Sequence, residues 1–331
     1  MIESLPFVSI VVPFYNSKNS LPSLINALLI QDYPKKMLEI VMVDDGSTDE
    51  SYDIANKLLG NIPVSEINVK ILRCGKKGGP AKARNYGIRN SKGEIIALTD
   101  SDTIPDEKWV CQLVKCFQKS NDIGGVQGKT ITESERFIFP LRVAPISRFV
   151  TCNIAYRKEV LLKCQLFDER YQYPFREDSD LAYKVLEKGY KIISTENAIV
   201  YHPLRTIKIT DISRNTVYHM YDVLLYKDHS MLARDDLGAP IVGGFTLSGI
   251  AFFGYLIALL LPITFLYYPL YLLYFSLLVV FVLALIMIKK AKYKAVPMSE
   301  RMLSSVWHLL YFISAEVGRI IGCFKFKKIY I

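Results

Sequence analysis

The chain has 331 residues, 51% of them hydrophobic, and a formal net charge of +9. A mean hydropathy of +0.21 is too apolar for a purely soluble protein, so we expect part of the chain to lie in lipid. The basic balance suits anionic headgroups or a phosphate-bearing ligand, whereas the absence of a basic motif interleaved with aromatic residues disfavours a nucleic-acid partner.

The N-terminal part alternates short apolar runs with amphipathic segments, which predicts an α/β domain with a mostly parallel sheet flanked by helices. The run from Val8 to Val12 is too short for a cleavable signal and is typical of a buried strand. Ser47 and Glu50 have the spacing of a capping box, so we expect a helix to begin there. The predicted strands are 7–13, 39–43, 69–72 and 94–98, and the predicted helices are 21–30 (capped by Ser20), the one after Ser47, and 81–88.

Polar residues follow the second predicted strand and precede the third helix. Asp45 is expected at the rim of the sheet, where it can accept hydrogen bonds from a base or a ribose, although helix capping is the alternative. In Gly78-Gly79-Pro80 the proline suits a first helical position and the glycines allow close approach of a ligand. We expect Arg84 to contact phosphate oxygens there, unless it is simply solvated.

Two acidic clusters are the strongest candidates for chemistry. Asp100 and Asp102 stand one residue apart at the end of the fourth predicted strand, where a divalent cation can bridge carboxylates and a diphosphate. Acidic pairs also occur in solvated turns, which is the structural alternative. The second cluster, 177–180, opens a predicted helix that Gly189 ends, and Asp178 there is either a reactive carboxylate or an N-cap.

The C-terminal part is expected to lie in the membrane. No charged residue occurs from Phe245 to Ile288, and about twenty apolar residues suffice for one crossing, so we predict a hairpin with spans of about 244–264 and 268–288. The alternative is one crossing and a buried core helix. Basic residues on both flanks keep the N-terminal part on the cytoplasmic side of the cell membrane, which predicts a multi-pass protein.

A third apolar segment, 302–324, has apolar residues at three- and four-residue spacing and is interrupted by His308, Glu316 and Arg319. This pattern predicts an amphipathic helix at the membrane interface. A third crossing is the alternative, but it would carry the basic tail outside. The predicted division is therefore 1–230 for the cytosolic domain and 231–331 for the membrane region.

Five segments together resemble the family 2 glycosyltransferases of the GT-A fold, in that family's order and over about residues 7–205. The resemblance implies a Rossmann-like GT-A domain, a nucleotide-diphosphate sugar as donor, and Mg²⁺ or Mn²⁺ as cofactor. The segments are Val8–Asn16, Val43–Asp49, Ala83–Gly87, Thr99–Asp102 and Glu177–Leu181.

The resemblance also implies roles for single residues. Asp45 would contact the nucleobase, Asp100 the ribose, and Asp102 the metal on the donor diphosphate. His202 follows a strand end from which some members supply a further metal ligand, although a packed histidine is the alternative. The catalytic base would be Asp178. The other expected contacts are Pro13, Tyr15 and Arg84 with the donor nucleotide, and Glu177 and Asn153 on the acceptor side.

Chemistry independently requires a carboxylate such as Asp178, because transfer with inversion needs a base on the face opposite the leaving diphosphate. The Gln-x-x-Arg-Trp step of processive relatives is absent, since the tryptophans, Trp109 and Trp307, lie elsewhere. We therefore expect transfer of a single sugar to a membrane-associated acceptor, such as a lipid-linked glycan in polysaccharide or glycoconjugate biosynthesis. The alternatives are a polyprenyl-phosphate sugar synthase and a non-catalytic membrane scaffold.

Overall fold

A computed structural model describes residues 5–60, 62–63, 67–132, 142–143, 149–203, 205–206, 211–237, 310 and 314–327. The chain divides into a first unit, Met1–Glu133 with Ala144–Leu204, and a second unit, Ser134–Val143 with Arg205–Ile331. The predicted spans 244–264 and 268–288 lie outside the described residues. Within the described part, no helix is both long and apolar enough to cross a bilayer. The predicted division at residue 230 stays a prediction.

The first unit contains an eight-stranded mixed sheet with the order β3-β2-β1-β4-β8-β6-β9-β5. Two further short strands, β7 and β10, pair antiparallel in the second unit. The strands are β1 Val8–Phe14, β2 Leu38–Asp44, β3 Asn68–Arg73, β4 Ile95–Leu98, β5 Ile104–Pro105, β6 Ile123–Thr132, β7 Arg142–Val143, β8 Ile154–Arg157, β9 Lys191–His202 and β10 Arg205–Thr206.

The described helices are α1 Leu21–Leu29, α2 Ser51–Leu59, α3 Pro80–Asn90, α4 Trp109–Phe117, α5 Lys158–Lys163, α6 Glu177–Glu187, α7 Asp211–Asp228, α8 Ser230–Leu237, and a C-terminal helix over 314–326, named α9 here. Gly189 follows α6 with a φ of +81°, which agrees with its predicted role as a helix terminator. Helix α9 agrees with the described part of the predicted helix 302–324.

The parallel half of the sheet agrees with the prediction. Strands β3, β2, β1 and β4 run parallel, and every residue of β1 and β2 is buried, as expected for strands covered on both faces. The remaining half is mixed, because β8 is antiparallel to both β4 and β6 while β9 is parallel to β6. The carboxyl ends of β1, β2 and β4 therefore meet at one rim.

The predicted capping box at Ser47 is wrong. Helix α2 begins at Ser51, four residues later, and Asp49 Oδ1 accepts the Ser51 backbone N–H at 3.1 Å. The Ser47 hydroxyl oxygen instead accepts the backbone N–H of Asn16 at 3.0 Å. Residues 47–50 thus fasten the loop after β2 to the loop after β1, and both loops lie at the rim.

Candidate active site

The loop after β4 holds Asp100 and Asp102 at the carboxyl end of that strand. The Thr99 hydroxyl donates to the Cys152 carbonyl at 2.9 Å, and the Thr103 hydroxyl donates to the Asp100 carbonyl at 2.8 Å. These two bonds fix the turn on both sides of the acidic pair. The two carboxylates keep 27% and 24% of their side-chain surface exposed, so they remain accessible to a ligand.

His202, at the end of β9, lies beside this pair as predicted. Its Nε2 is 3.7 Å from Asp102 Oδ1, and one ligand atom each from Asp100, Asp102 and His202 lie within 4.8 Å of one another. The His202 Nδ1 is 2.8 Å from the Pro203 carbonyl, which can only accept a hydrogen bond. The hydrogen of this contact is therefore on Nδ1, and Nε2 is the ring nitrogen that faces Asp102. Two carboxylates and an imidazole suit a divalent cation such as Mn²⁺ or Mg²⁺.

Arg84 joins the two acidic clusters. The guanidinium is 3% exposed and lies between Asp100 Oδ1, at 2.8 Å, and Glu177 Oε1, at 2.9 Å. In this structure its nitrogens Nη1 and Nη2 bind carboxylates inside the protein, and the contact of Arg84 with donor phosphates stays a prediction. Asp100 keeps its second oxygen for a ligand, and its contact with a ribose stays a prediction.

Glu177, which was expected on the acceptor side, is held by Arg84 in this structure. Its carboxylate is 4% exposed and is paired with Arg84, so it is occupied within the protein. Burial, with the neighbouring charge of Asp178, raises the pKa of Glu177 to about 7, although Arg84 acts in the opposite direction. Glu177 is therefore a buried structural acid at the start of α6.

Asp178 is half-buried and lies in the first turn of α6, after Arg176, which adopts a left-handed φ of +73°. Arg176 is the N-cap of that helix, so Asp178 is not. Its Oδ1 accepts the Ser179 backbone N–H at 2.7 Å, and desolvation raises its pKa. The adjacent acid, Asp180, is fully buried and pairs with Lys184 at 2.7 Å. Asp178 is consequently the member of this cluster that is accessible enough to exchange a proton.

Asp45 is held by the glycine pair. Its two carboxylate oxygens accept the backbone N–H groups of Gly78 and Gly79 at 2.8 and 2.9 Å. The N–H groups of these glycines therefore bind Asp45 in this structure, and the close approach of a ligand to the glycines stays a prediction. Gly79 has a φ of +91°, and a Cβ there would collide with the Gln172 carbonyl. Burial raises the pKa of Asp45, although both backbone hydrogen bonds oppose that rise.

Tyr15 is half-buried at the end of β1, near the same rim. The ammonium of Lys77 lies 3.9 Å from the centroid of its ring, a cation–π contact. Lys77 was not among the expected site residues. Its position just before the glycine pair is the sequence feature that could have indicated it. Pro13, in contrast, is buried within β1 opposite Val43, and its contact with the donor nucleotide stays a prediction.

Asn153 belongs to the core. It is fully buried, its Oδ1 accepts the Trp109 indole N–H at 2.8 Å, and its Nδ2 donates to the Ala198 carbonyl at 3.1 Å. Because Asn153 is fully buried, it presents no surface to a substrate in this structure, and its acceptor-side role stays a prediction.

Comparison with known proteins gives one family and several relatives. The profile described as Glycosyl transferase family 2 matches residues 9–165. Glycosyltransferase AglE of Haloferax volcanii is 36% identical over 110 residues, which are 33% of this chain and 35% of that protein. The Escherichia coli protein named UDP-Glc:alpha-D-GlcNAc-diphosphoundecaprenol beta-1,3-glucosyltransferase WfaP is 26% identical over 206 residues, covering 60% and 77% of the two chains. The chain thus spans about a third of the length of the Haloferax relative.

A solved structure extends the similarity of fold to most of the chain. The mannosyltransferase PcManGT from Pyrobaculum calidifontis, solved in complex with GDP-Man and Mn²⁺, superposes with a TM-score of 0.58 over 96% of this chain and 88% of that one. At 19% sequence identity this likeness concerns the fold.

Proposed function

We propose that this chain, whose residues 9–165 form a family 2 glycosyltransferase domain, transfers a single sugar from a nucleotide-diphosphate sugar to an acceptor hydroxyl with inversion. The observation that carries the proposal is the bridge made by Arg84. One buried guanidinium ties Asp100, in the cation-binding set, to Glu177, the neighbour of Asp178. The same guanidinium thereby positions Asp100, a donor-binding group, and Glu177, which precedes the proton acceptor Asp178.

The donor end of the reaction uses the rim of the sheet. Asp102 and His202, with Asp100, would hold a Mg²⁺ or Mn²⁺ ion. The chemistry that such a cation supplies when bound is neutralisation of negative charge on the leaving diphosphate. Tyr15 and Asp45 would contact the nucleotide, and a base with an N–H group suits the carboxylate of Asp45, whose lone pairs exceed the two backbone N–H groups that it already binds.

The acceptor end uses Asp178. Its carboxylate takes the proton of the acceptor hydroxyl while the oxygen forms a bond to the anomeric carbon of the sugar. The bond from that carbon to the donor phosphate oxygen breaks, and its electron pair leaves with the diphosphate. Attack from the opposite face inverts the anomeric configuration. General base catalysis of this kind contributes about 100- to 10,000-fold to the rate.

The acceptor we propose is membrane-associated, for example a lipid-linked glycan, and the chain would be a multi-pass protein of the cell membrane with its catalytic domain in the cytoplasm. Three observations support this proposal. The stretch from Phe245 to Ile288 is uncharged, the net charge of +9 suits anionic lipid, and the WfaP relative is named for a diphosphoundecaprenol acceptor.

The test is Asp178→Asn in the full chain, with Asp122→Asn, a partly exposed acid paired with Lys191, as the matched control. Release of nucleoside diphosphate from UDP-glucose or GDP-mannose would be followed with Mn²⁺ and a membrane lipid extract. We expect Asp178→Asn to lose at least about 100-fold in rate and the control to keep the parental rate, with donor binding by calorimetry unchanged in both.

A parental rate in Asp178→Asn would show that the base assignment is wrong. Slowing of only a few fold would point to an acceptor that is already ionised, as in a polyprenyl-phosphate sugar synthase. Donor hydrolysis by the parent protein would exclude a non-catalytic scaffold.

A further inference from the structure

Helix α9 of the second unit has an inverted distribution of polar and apolar residues. Its polar residues Ser314 and Glu316 are buried, whereas a stripe of large apolar side chains faces outward. Water normally drives the opposite arrangement, because burial of apolar surface is the dominant favourable term in folding. The exposed stripe consists of Val317 (38% exposed), Ile320 (42%), Ile321 (48%) and Phe324 (81%).

The polar face of α9 is buried because α7 supplies its hydrogen-bonding partners. Asn215 Nδ2 donates to the Ser314 hydroxyl oxygen at 2.7 Å, and Arg319 Nε donates to Asp222 Oδ2 at 3.0 Å. Arg319 also pairs with Glu316 on its own helix. These contacts satisfy charged and polar groups that would otherwise be costly to remove from water.

Two glycines hold α9 in this orientation. A Cβ on Gly318 would collide with the Thr216 carbonyl of α7, and a Cβ on Gly322 would lie 2.5 Å from the Met220 carbonyl. Only the glycine side of α9 can therefore approach α7 so closely. Rotation of the helix to bury the apolar stripe would bring larger side chains against the α7 backbone, so the stripe stays exposed.

We propose that the apolar stripe of α9 enters the interface of a bilayer that contains anionic lipids. Lys325 follows Phe324 and Lys327 follows Phe326, and both lysines are exposed, where they would meet anionic headgroups. A second copy of the chain is a poorer occupant of the stripe. Glu316 is the one acidic residue in the sequence 314–326 and is buried, so a second α9 would offer these lysines no accessible counter-charge of its own. The proposal does not depend on the transferase assignment.

The test places a tryptophan on the stripe. Phe324→Trp in the full chain would be reconstituted into vesicles of phosphatidylcholine and phosphatidylglycerol whose acyl chains are brominated, which quench nearby tryptophan. The matched control is Leu162→Trp in the first unit, another exposed apolar site, where Leu162 is 53% exposed. Because quenching is local, it reports on α9 whether or not other segments enter the bilayer.

We expect the added fluorescence of Phe324→Trp to be lost in brominated vesicles and that of Leu162→Trp to be retained, each measured against the parent with its own tryptophans. The double change Lys325→Glu and Lys327→Glu, made in Phe324→Trp, should reduce quenching. No quenching of Phe324→Trp beyond the parent overturns the proposal. The proposal is also overturned if this tryptophan is quenched neither by bromine nor by aqueous iodide and light scattering gives a doubled mass. That result would identify a second copy of the chain as the occupant.

Discussion

Replacement of Arg84 by methionine tests the bridge between the two acidic clusters. Methionine fills much of the same space but leaves Asp100 and Glu177 without their shared cation. Removing one partner of a buried ion pair costs about 3–5 kcal/mol, because a buried charge is left unpaired. Glu177 is buried, so its unpaired charge should carry this cost. Asp100 is 27% exposed, so water screens its charge and the loss of its pairing should add little to the cost.

The cost should depend on pH. Arg84 lowers the pKa of Glu177, so its removal raises that pKa further above 7, and the carboxyl of the variant is protonated in acid. We therefore expect a loss of about 3–5 kcal/mol in the free energy of unfolding at pH 8.5 and a clearly smaller loss at pH 5.5. Arg84→Lys keeps the charge but can satisfy only one carboxylate well, and should fall between methionine and the parent.

The assay is equilibrium urea unfolding of the full chain in detergent, followed by circular dichroism. Arg89→Met is the matched control on the same helix, because Arg89 is 55% exposed, lies 3.6 Å from Glu169, and should contribute about 0–1 kcal/mol. The double variant Arg84→Met with Glu177→Gln should recover much of the loss. Equal losses at both pH values, or a loss for Arg84→Met no larger than that of Arg89→Met, would refute the reasoning.

Further predictions concern the glycine turn, the cation set and the acids of α6. Gly79→Ala should lower the melting temperature and weaken nucleotide binding in a titration, because alanine is strained at a φ of +91° and its Cβ meets the Gln172 carbonyl. An unchanged nucleotide affinity would show that Asp45 does not contact the nucleotide. His202→Ala should weaken Mn²⁺ binding by calorimetry, and an unaltered isotherm would remove His202 from the cation set. Because the folded-state pKa of Glu177 is raised from 4.5 to about 7, the folded chain retains a proton that the unfolded chain releases above pH 4.5. The free energy of unfolding should thus fall as the pH rises from 4.5 to 7, and Glu177→Gln should flatten that slope in urea titrations. The pH–rate profile should show an acid limb above the usual aspartate range, since desolvation raises the pKa of Asp178; a limb near pH 4 would contradict this.

In the parallel half of the fold, β3 is only partly buried, but β1, β2 and β4 are buried throughout, which made most of this half predictable. Such strands read as continuous apolar runs, and β1, β2, β3 and β4 were predicted to within one residue at each end. The mixed half was not predictable in the same way. Strand β9 alternates irregularly between buried and exposed residues, and its pairing with β6 contains register shifts, so its sequence shows no clear period of two.

The candidate site was predictable in its residues but not in its pairings. The sequence placed Asp45, Asp100 and Asp102 at the rim of the sheet, and the structure has Asp100 and Asp102 there with His202 beside them, whereas the roles of these residues stay predictions. A charged residue alone does not reveal whether it meets solvent, a ligand or another side chain, because that depends on distant partners. Arg84 and Glu177 are 93 positions apart in the sequence, and only the folded chain shows that they bind each other.

The contacts of helix α3 limit how this protein can be recombined with its relatives. Arg84 binds Glu177, and its neighbour Asn85 donates to the Phe167 carbonyl at 2.9 Å and accepts the Phe167 backbone N–H at 3.0 Å. A chimera that imports residues 165–180 from a relative must therefore bring a carboxylate at 177, or import α3 as well. Engineers should choose crossover points that keep these two segments from one parent.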